Sequence, residues 1–221
     1  MILEVACFSF EDTLIAIEAG ADRIELCKNR SAGGLTPAKG AVKDACFLLK
    51  VPVYLMIRPR AKNFCYTDQE VEIMKKKIRE FKKLNCAGFV FGILNEKKQV
   101  DREKCEELVK LAAPKPCTFH RAFDEVPDWE KALEDVIACG FTRILTSGGP
   151  VGAHANTDTL QKLVKKAGQR IKIMPGGGIR STNVQEIIKK TKCNEIHTGA
   201  RHPKRHGIDM KEIEAIKALI K

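Results

Sequence analysis

The chain has no apolar run near 18 residues, so no segment is predicted to span a membrane. Aromatic residues are scarce: one Trp, two Tyr and ten Phe make up 6% of 221 residues. That is too few to interleave with the basic residues as a nucleic-acid stacking platform requires. The sequence contains no nucleophile motif, no HExxH pair and no Walker-type glycine loop. Local motifs therefore write no reaction type, and no nucleotide cofactor is expected. The nine cysteines include no C-x-x-C pair and no spacing of an ordinary zinc site. Their odd number, the lack of a leader pattern at the start, and the placement of Cys46, Cys86, Cys105 and Cys139 in helix-like patterns predict reduced thiols in a cytoplasmic protein. No Pro/Gly/Ser-rich linker interrupts the chain, which predicts one domain over residues 1–221.

What the chain does have is charge. Lys and Arg number 39 against 28 Asp and Glu, a formal net charge of +11. This balance fits an anionic partner. However, the lysines fall in groups within helical stretches, at Lys75 to Lys77, Lys82-Lys83, Lys165-Lys166 and Lys189-Lys190, with acids between them. That is the pattern of solvated helix faces, so nucleic acid is not the expected partner.

Apolar runs of strand length alternate with helical patterns throughout. One set comprises Ile2 to Cys7, Val53 to Arg58, Cys117 to Arg121 and Ile171 to Met174. The other is entered from helix ends: Gly20 to Cys27, Ala87 to Gly92, Gly140 to Ser147 and Cys193 to Gly199. The two sets interleave strictly, giving eight β-α units of about 27 residues each and predicting an α/β fold, a single (β/α)8 TIM-like barrel. Between the strands, Ser9 or Asp12 caps a first helix with Leu14, Ile15 and Ile17 inward. Thr67 to Glu70 forms a capping box before Val71, Ile73, Met74, Ile78 and Phe81. Asp158 to Ala167 is helical, Ser181 caps a helix to Lys190, and Ile208 to Lys221 closes the chain with Ile213, Ile216, Leu219 and Ile220 inward.

A barrel places its reactive residues at strand C-terminal ends and on the loops beyond them. The stretch Thr118-Phe119-His120-Arg121-Ala122-Phe123-Asp124 sets an imidazole, a cation and an acid at one such exit. Arg58 and Arg60, flanking Pro59, form a rigid cationic pair suited to carboxylate or phosphate. Glu25, His120, Asp124 and His197 are candidate general acids and bases; the same groups would also serve as a salt-bridge network closing the barrel. Gly176, Gly177 and Gly178, together with Arg121, Ser147 and Arg201, are candidates for anion binding, although three glycines also make a tight turn. Met56, His120 and Met174 fall at equivalent depth in the odd strands, with Cys27 at the end of the second, a soft donor set suited to Cu(I).

Several motifs together resemble one family. They are G-A-D-R-I-E-L-C ending at Cys27, G-G-L-T-P at 33 to 37, M-I-R-P-R at 56 to 60, T-F-H-R-A-F-D at 118 to 124, R-I-L-T-S-G-G at 143 to 149, M-P-G-G-G-I at 174 to 179, and the H-T-G-A-R that ends at Arg201. From about residue 1 to 201 the chain is similar to the CutC copper homeostasis family. The resemblance implies a cytoplasmic TIM-like barrel, self-associated as a homo-oligomer such as a dimer, that binds or traffics copper as Cu(I). It places the metal on two cysteines at the ends of the first two strands. Cys27 matches the second. At the first, the family pattern E-V-C-V-D reads Glu4-Val5-Ala6-Cys7-Phe8, with the cysteine one residue on. A one-residue shift turns a strand side chain to the other face, so Cys7 joins Cys27 only where a bulge turns it back. Glu25, Arg58, Arg60, His120, Arg121, Asp124 and His197 match without departure. Two arginines and a glycine cradle suit an anion rather than a cation, so an enzyme acting on a small anionic metabolite, such as a phosphorylated one, stands as the alternative.

Overall fold

The computed structural model describes residues 1–202 and 207–220. Its strands are β1 (Ile2–Cys7), β2 (Arg23–Leu26), β3 (Val53–Met56), β4 (Gly88–Phe91), β5 (Cys117–Phe119), β6 (Arg143–Thr146), β7 (Lys172–Pro175) and β8 (Glu195–Thr198). They alternate with α1 (Phe10–Glu18), α2 (Lys39–Leu48), α3 (Asp68–Lys82), α4 (Arg102–Ala112), α5 (Trp129–Ala138), α6 (Thr157–Ala167), α7 (Val184–Thr191) and α8 (Met210–Leu219). The strands pair in the order β7-β6-β5-β4-β3-β2-β1-β8, every ladder parallel. β7 and β8 lie side by side at the seam, which makes a nearly closed (β/α)8 barrel.

The period of two along each strand divides the core. Leu3, Val5 and Cys7, then Ile24 and Leu26, Val53 and Leu55, and Phe89 and Phe91 point outward into the layer shared with the helices. The residues between them point into the barrel, where space is limited. A Cβ on Gly88 would lie 2.4 Å from Tyr54 Cε1 and 2.6 Å from the Pro116 carbonyl, so glycine is what admits the Tyr54 ring. Near the seam, a Cβ on Gly176 would sit 2.5 Å from Leu145 Cδ1 and 3.2 Å from the His197 Cβ.

Helix starts follow the local chemistry. The Ser9 hydroxyl accepts from the Asp12 amide at 3.0 Å, and Thr67 and Glu70 complete the predicted capping box. Two inward assignments, Leu14 and Leu219, are corrected. The buried residues of α1 are Asp12, Thr13 and Ala16, whereas Leu14 is exposed, because the Asp12 carboxylate is drawn in to accept from the Phe8 amide at 2.9 Å. Ile73 is likewise exposed on α3. Ile213, Ile216 and Ile220 are buried at the chain end, whereas Leu219 is exposed; Lys221 lies outside the described residues. Ser181 does not cap α7, which begins at Val184: its amide and hydroxyl bind the Glu212 carboxylate of α8 at 2.7 and 3.1 Å.

Candidate functional site at the barrel mouth

The inward positions of β1, β2, β6 and β8 carry a buried ion network. Arg23 Nε donates to Glu4 Oε2 at 2.5 Å and its Nη2 to Glu195 Oε2 at 2.6 Å. Arg143 holds the same Glu195 through Nε and, at 3.1 Å, through Nη2 to Oε1. The Tyr54 ring centroid is 5.3 Å from both guanidinium carbons. Two cations against two carboxylates leave this layer neutral, the condition for charge to be tolerated at such burial.

The network supports the layer above it. Glu4 Oε1 lies 2.8 Å from His197 Nδ1, and His197 Nε2 lies 3.9 Å from Glu25 Oε2. Glu25 Oε2 also accepts from the Cys27 thiol at 3.5 Å, while Glu25 Oε1 is buried without a partner among the described residues. Burial pushes the Glu4 carboxyl up, but the bond to His197 and the charges of Arg23, His197 and Arg143 outweigh it and hold it down at about 2. Burial dominates at Glu25 and raises it. At His197 the downward push of burial is overcome by Glu25 and Glu4, so the imidazole is raised. Glu4 is thus held as the anion, while Glu25 and His197, 3.9 Å apart, are both raised.

Across the barrel, His120 follows β5. Its Nδ1 accepts from the Ala122 amide at 3.3 Å, and its Nε2 is buried without a partner among the described residues. The ring packs against Phe64, centroid to centroid 4.8 Å, and Phe119. Burial, with Arg58 adding to it, lowers its pKa to about 3.

Arg121 stands at the rim. Its Nε donates to Asp124 Oδ2 at 2.7 Å and its Nη2 to Ser147 Oγ at 3.1 Å, and its side chain is 45% exposed. Gly177 and Gly178, at φ +90° and +80°, form the turn after β7. A Cβ on Gly177 would meet the Arg121 Cζ at 3.0 Å.

These parts enclose a cavity of about 270 Å³. Of the residues singled out from the sequence, Glu25, Arg58, His120, Arg121, Gly177, Gly178 and His197 line it. Arg60, Asp124, Ser147, Gly176 and Arg201 do not. Arg60 binds Glu70 at 2.5 Å and the carbonyls of Ala61, Asn63 and Cys65. Asp124 accepts from Thr146 and Ser147 hydroxyls, the Ser147 amide and Arg121, so it orients the rim. Arg58 reaches the cavity wall, but its terminal nitrogens donate to the carbonyls of Ala32, Gly34 and Lys62, which ties two loops together.

The two metal candidates separate. Cys7 lies in the outer layer with Leu3 and Val5, and Cys27 in the inner cluster with Tyr54, Met56 and Val90. No bulge intervenes: β1 pairs with β2 in unbroken register through Cys7 and Leu26. Met174 lies lower, with its sulfur 3.1 Å from Arg23 Nη2, away from the Cys27–Met56 cluster. The groups not singled out from the sequence are Arg23, Arg143 and Glu195. Their signal was a charge at an inward position in an otherwise apolar strand.

The family model for the CutC family matches residues 1–202. The chain belongs to the CutC family. The human copper homeostasis protein cutC homolog is 42% identical over 207 residues, 94% of this chain and 76% of the relative. A family protein CutC of Treponema denticola is 42% identical over 198 residues, covering 90% of this chain and 80% of the relative. In three dimensions this CutC family chain is similar to the crystal structure of the putative copper homeostasis protein CutC from Streptococcus agalactiae. The TM-score is 0.86 at 35% identity, covering 90% and 98% of the two chains. It shares the barrel fold alone with phosphoribosyl anthranilate isomerase from Thermotoga maritima, at TM-score 0.67 and 14% identity, covering 100% and 98% of the two chains.

Proposed function

We propose that the mouth of this CutC family barrel binds a small anionic metabolite and performs acid–base chemistry on it. The observation that carries this reading is Glu25, a residue on the wall of a cavity whose rim holds Arg121, with its buried Oε1 lacking a partner among the described residues. A native protein rarely leaves such an atom unpaired, so a bound water, ion or ligand supplies the partner. The Arg121 guanidinium, with the Gly177 and Gly178 turn beside it, would hold the anionic end. Glu25, raised by burial, and His197, steered by Glu4, would move the proton. A volume of about 270 Å³ suits a molecule of a few carbons, below the ~300–1,000 Å³ usual for drug-sized ligands.

Copper binding or trafficking is the second reading, supported by the names of the relatives and by Cys27 and Met56 sharing one cluster. The donors fit Cu(I) poorly as a two-thiolate site. Cys7 faces the outer core, and burial and Glu25 both push the Cys27 thiol well up, which disfavours the thiolate a soft metal needs. Glu4, Glu25 and His197, which lie within reach of a common ion, offer oxygen and nitrogen donors of a harder kind. All nine cysteines are free, which supports a reducing compartment such as the cytoplasm.

Calorimetric titration separates the readings. Inorganic phosphate should bind the parent protein and be weakened about tenfold or more by Arg121→Gln, while Arg60→Gln leaves it unchanged. Absence of phosphate binding by the parent overturns the anion reading. One tight Cu(I) equivalent, lost in Cys27→Ala and kept in Arg121→Gln, would establish the copper reading in its place.

A further inference from the structure

Two residues that line the same cavity each carry a buried polar atom without a protein partner among the described residues, and the two atoms are of opposite polarity. His120 Nδ1 accepts the Ala122 N–H at 3.3 Å, so in the neutral ring the single proton sits on Nε2, which has no protein acceptor. Glu25 Oε1 is an acceptor with no protein donor. β5 lies opposite β1 in the eight-strand order, which sets His120 across the mouth from Glu25 and His197. A molecule between them satisfies both by presenting an oxygen acceptor to His120 and a proton to Glu25.

Resting on the anion-site reading above, we infer that His120 is a neutral hydrogen-bond donor to a substrate carbonyl and Glu25 the base that removes the proton beside it. The substrate class is a small anionic carbonyl compound, and the reaction is enolisation. His120 cannot swing away from this task. Phe64 and Phe119 flank the ring, and a Cβ on Gly92 would already lie 2.9 Å from its Nδ1. Its pKa of about 3 keeps the imidazole uncharged, so it polarises the carbonyl without surrendering a proton, a device that barrel enzymes use elsewhere.

In the step, Glu25 Oε1 takes a proton from the carbon next to the carbonyl. The C–H electron pair becomes the C=C bond, and the carbonyl π pair moves onto oxygen, where the His120 Nε2–H meets the developing negative charge. His197 Nε2, 3.9 Å from Glu25 Oε2, offsets the carboxylate charge before transfer. Return of the proton to the same carbon regenerates the substrate; where that carbon carries a hydroxyl, whose proton passes to the former carbonyl oxygen, return to the neighbouring carbon yields the isomer. No oxidant, reductant or water is consumed.

Two measurements test the inference. Imidazole ¹⁵N resonances should show His120 as the neutral Nε2–H tautomer from pH 5 to 8; an Nδ1–H tautomer or a cationic ring overturns it. The second probe is 2-phosphoglycolate, whose planar carboxylate resembles an enediolate, titrated beside inorganic phosphate. His120→Phe should weaken 2-phosphoglycolate about 10–100-fold and leave phosphate within about twofold. His120→Gln, which keeps a neutral N–H, should recover most of the loss and guards against a folding defect. Unchanged 2-phosphoglycolate affinity in His120→Phe with phosphate still bound overturns the inference alone. A parent protein that binds neither ion overturns the anion-site reading and the inference with it.

Discussion

Arg23→Met should be among the costliest single substitutions in this barrel, and its cost should depend on pH. Arg23 bridges Glu4 and Glu195 at 2.5 and 2.6 Å, with both arginine and carboxylates buried. Met is close in volume but leaves Glu4 without its nearest cation. Breaking a buried pair in this way costs about 3–5 kcal/mol. Glu4 is held at about 2 against an ordinary value of 4.5, a shift worth about 3 kcal/mol of folding stability. A carboxyl depressed in the folded state contributes stability above its unfolded pKa and loses it as pH falls through the folded one. In the parent that window runs from about 4.5 down to about 2. In Arg23→Met the folded pKa of Glu4 rises, so the parent–variant gap should be widest at pH 7 and shrink as pH falls below 5. Urea unfolding at pH 7 and pH 4 reads both effects, and Glu4→Gln added to Arg23→Met should recover part of the loss because no unpaired anion remains. A gap under about 1 kcal/mol at pH 7, or one indifferent to pH, would refute the argument.

Two further outcomes follow from other parts of the barrel. Gly88→Ala puts a methyl 2.4 Å from Tyr54 Cε1 and 2.6 Å from the backbone oxygen of Pro116, so thermal unfolding should show about 1–3 kcal/mol of destabilisation. His197→Gln removes a group whose folded pKa is raised; its stabilising contribution is present below the unfolded value of about 6.5 and fades as pH rises through the folded one. The Tm gap between parent and variant should therefore narrow from pH 6 to pH 9, and a constant gap would contradict the assignment.

The shift of Cys7 by one residue shows how far local patterning reaches. The alternation of Glu4, Val5, Ala6 and Cys7 is enough to place the thiol on the outer face, because side chains reverse at every residue of a strand. The same alternation, with the helical periods between strands, is enough for the eight β-α units and for their order in the sheet. Thr118 to Asp124 pointed to a candidate site because an imidazole, a cation and an acid stand together at a strand exit.

What the linear pattern leaves open is which of these polar groups face the cavity with a free atom. Arg58, Arg60 and Arg121 are the same residue type at the same end of the barrel. Only the closed fold assigns Arg60 to Glu70, Arg58 to the carbonyls of two loops and Arg121 to the rim. Likewise, Glu4 meets His197 across |i−j| = 193, and Arg143 meets Glu195 across 52. Composition, period and local capping determine the barrel, since they act within a few residues. The partners of its buried charges, and the placement of Glu25 and His120 on one cavity wall, are decided by tertiary structure, because barrel closure brings together strands that the chain itself keeps far apart.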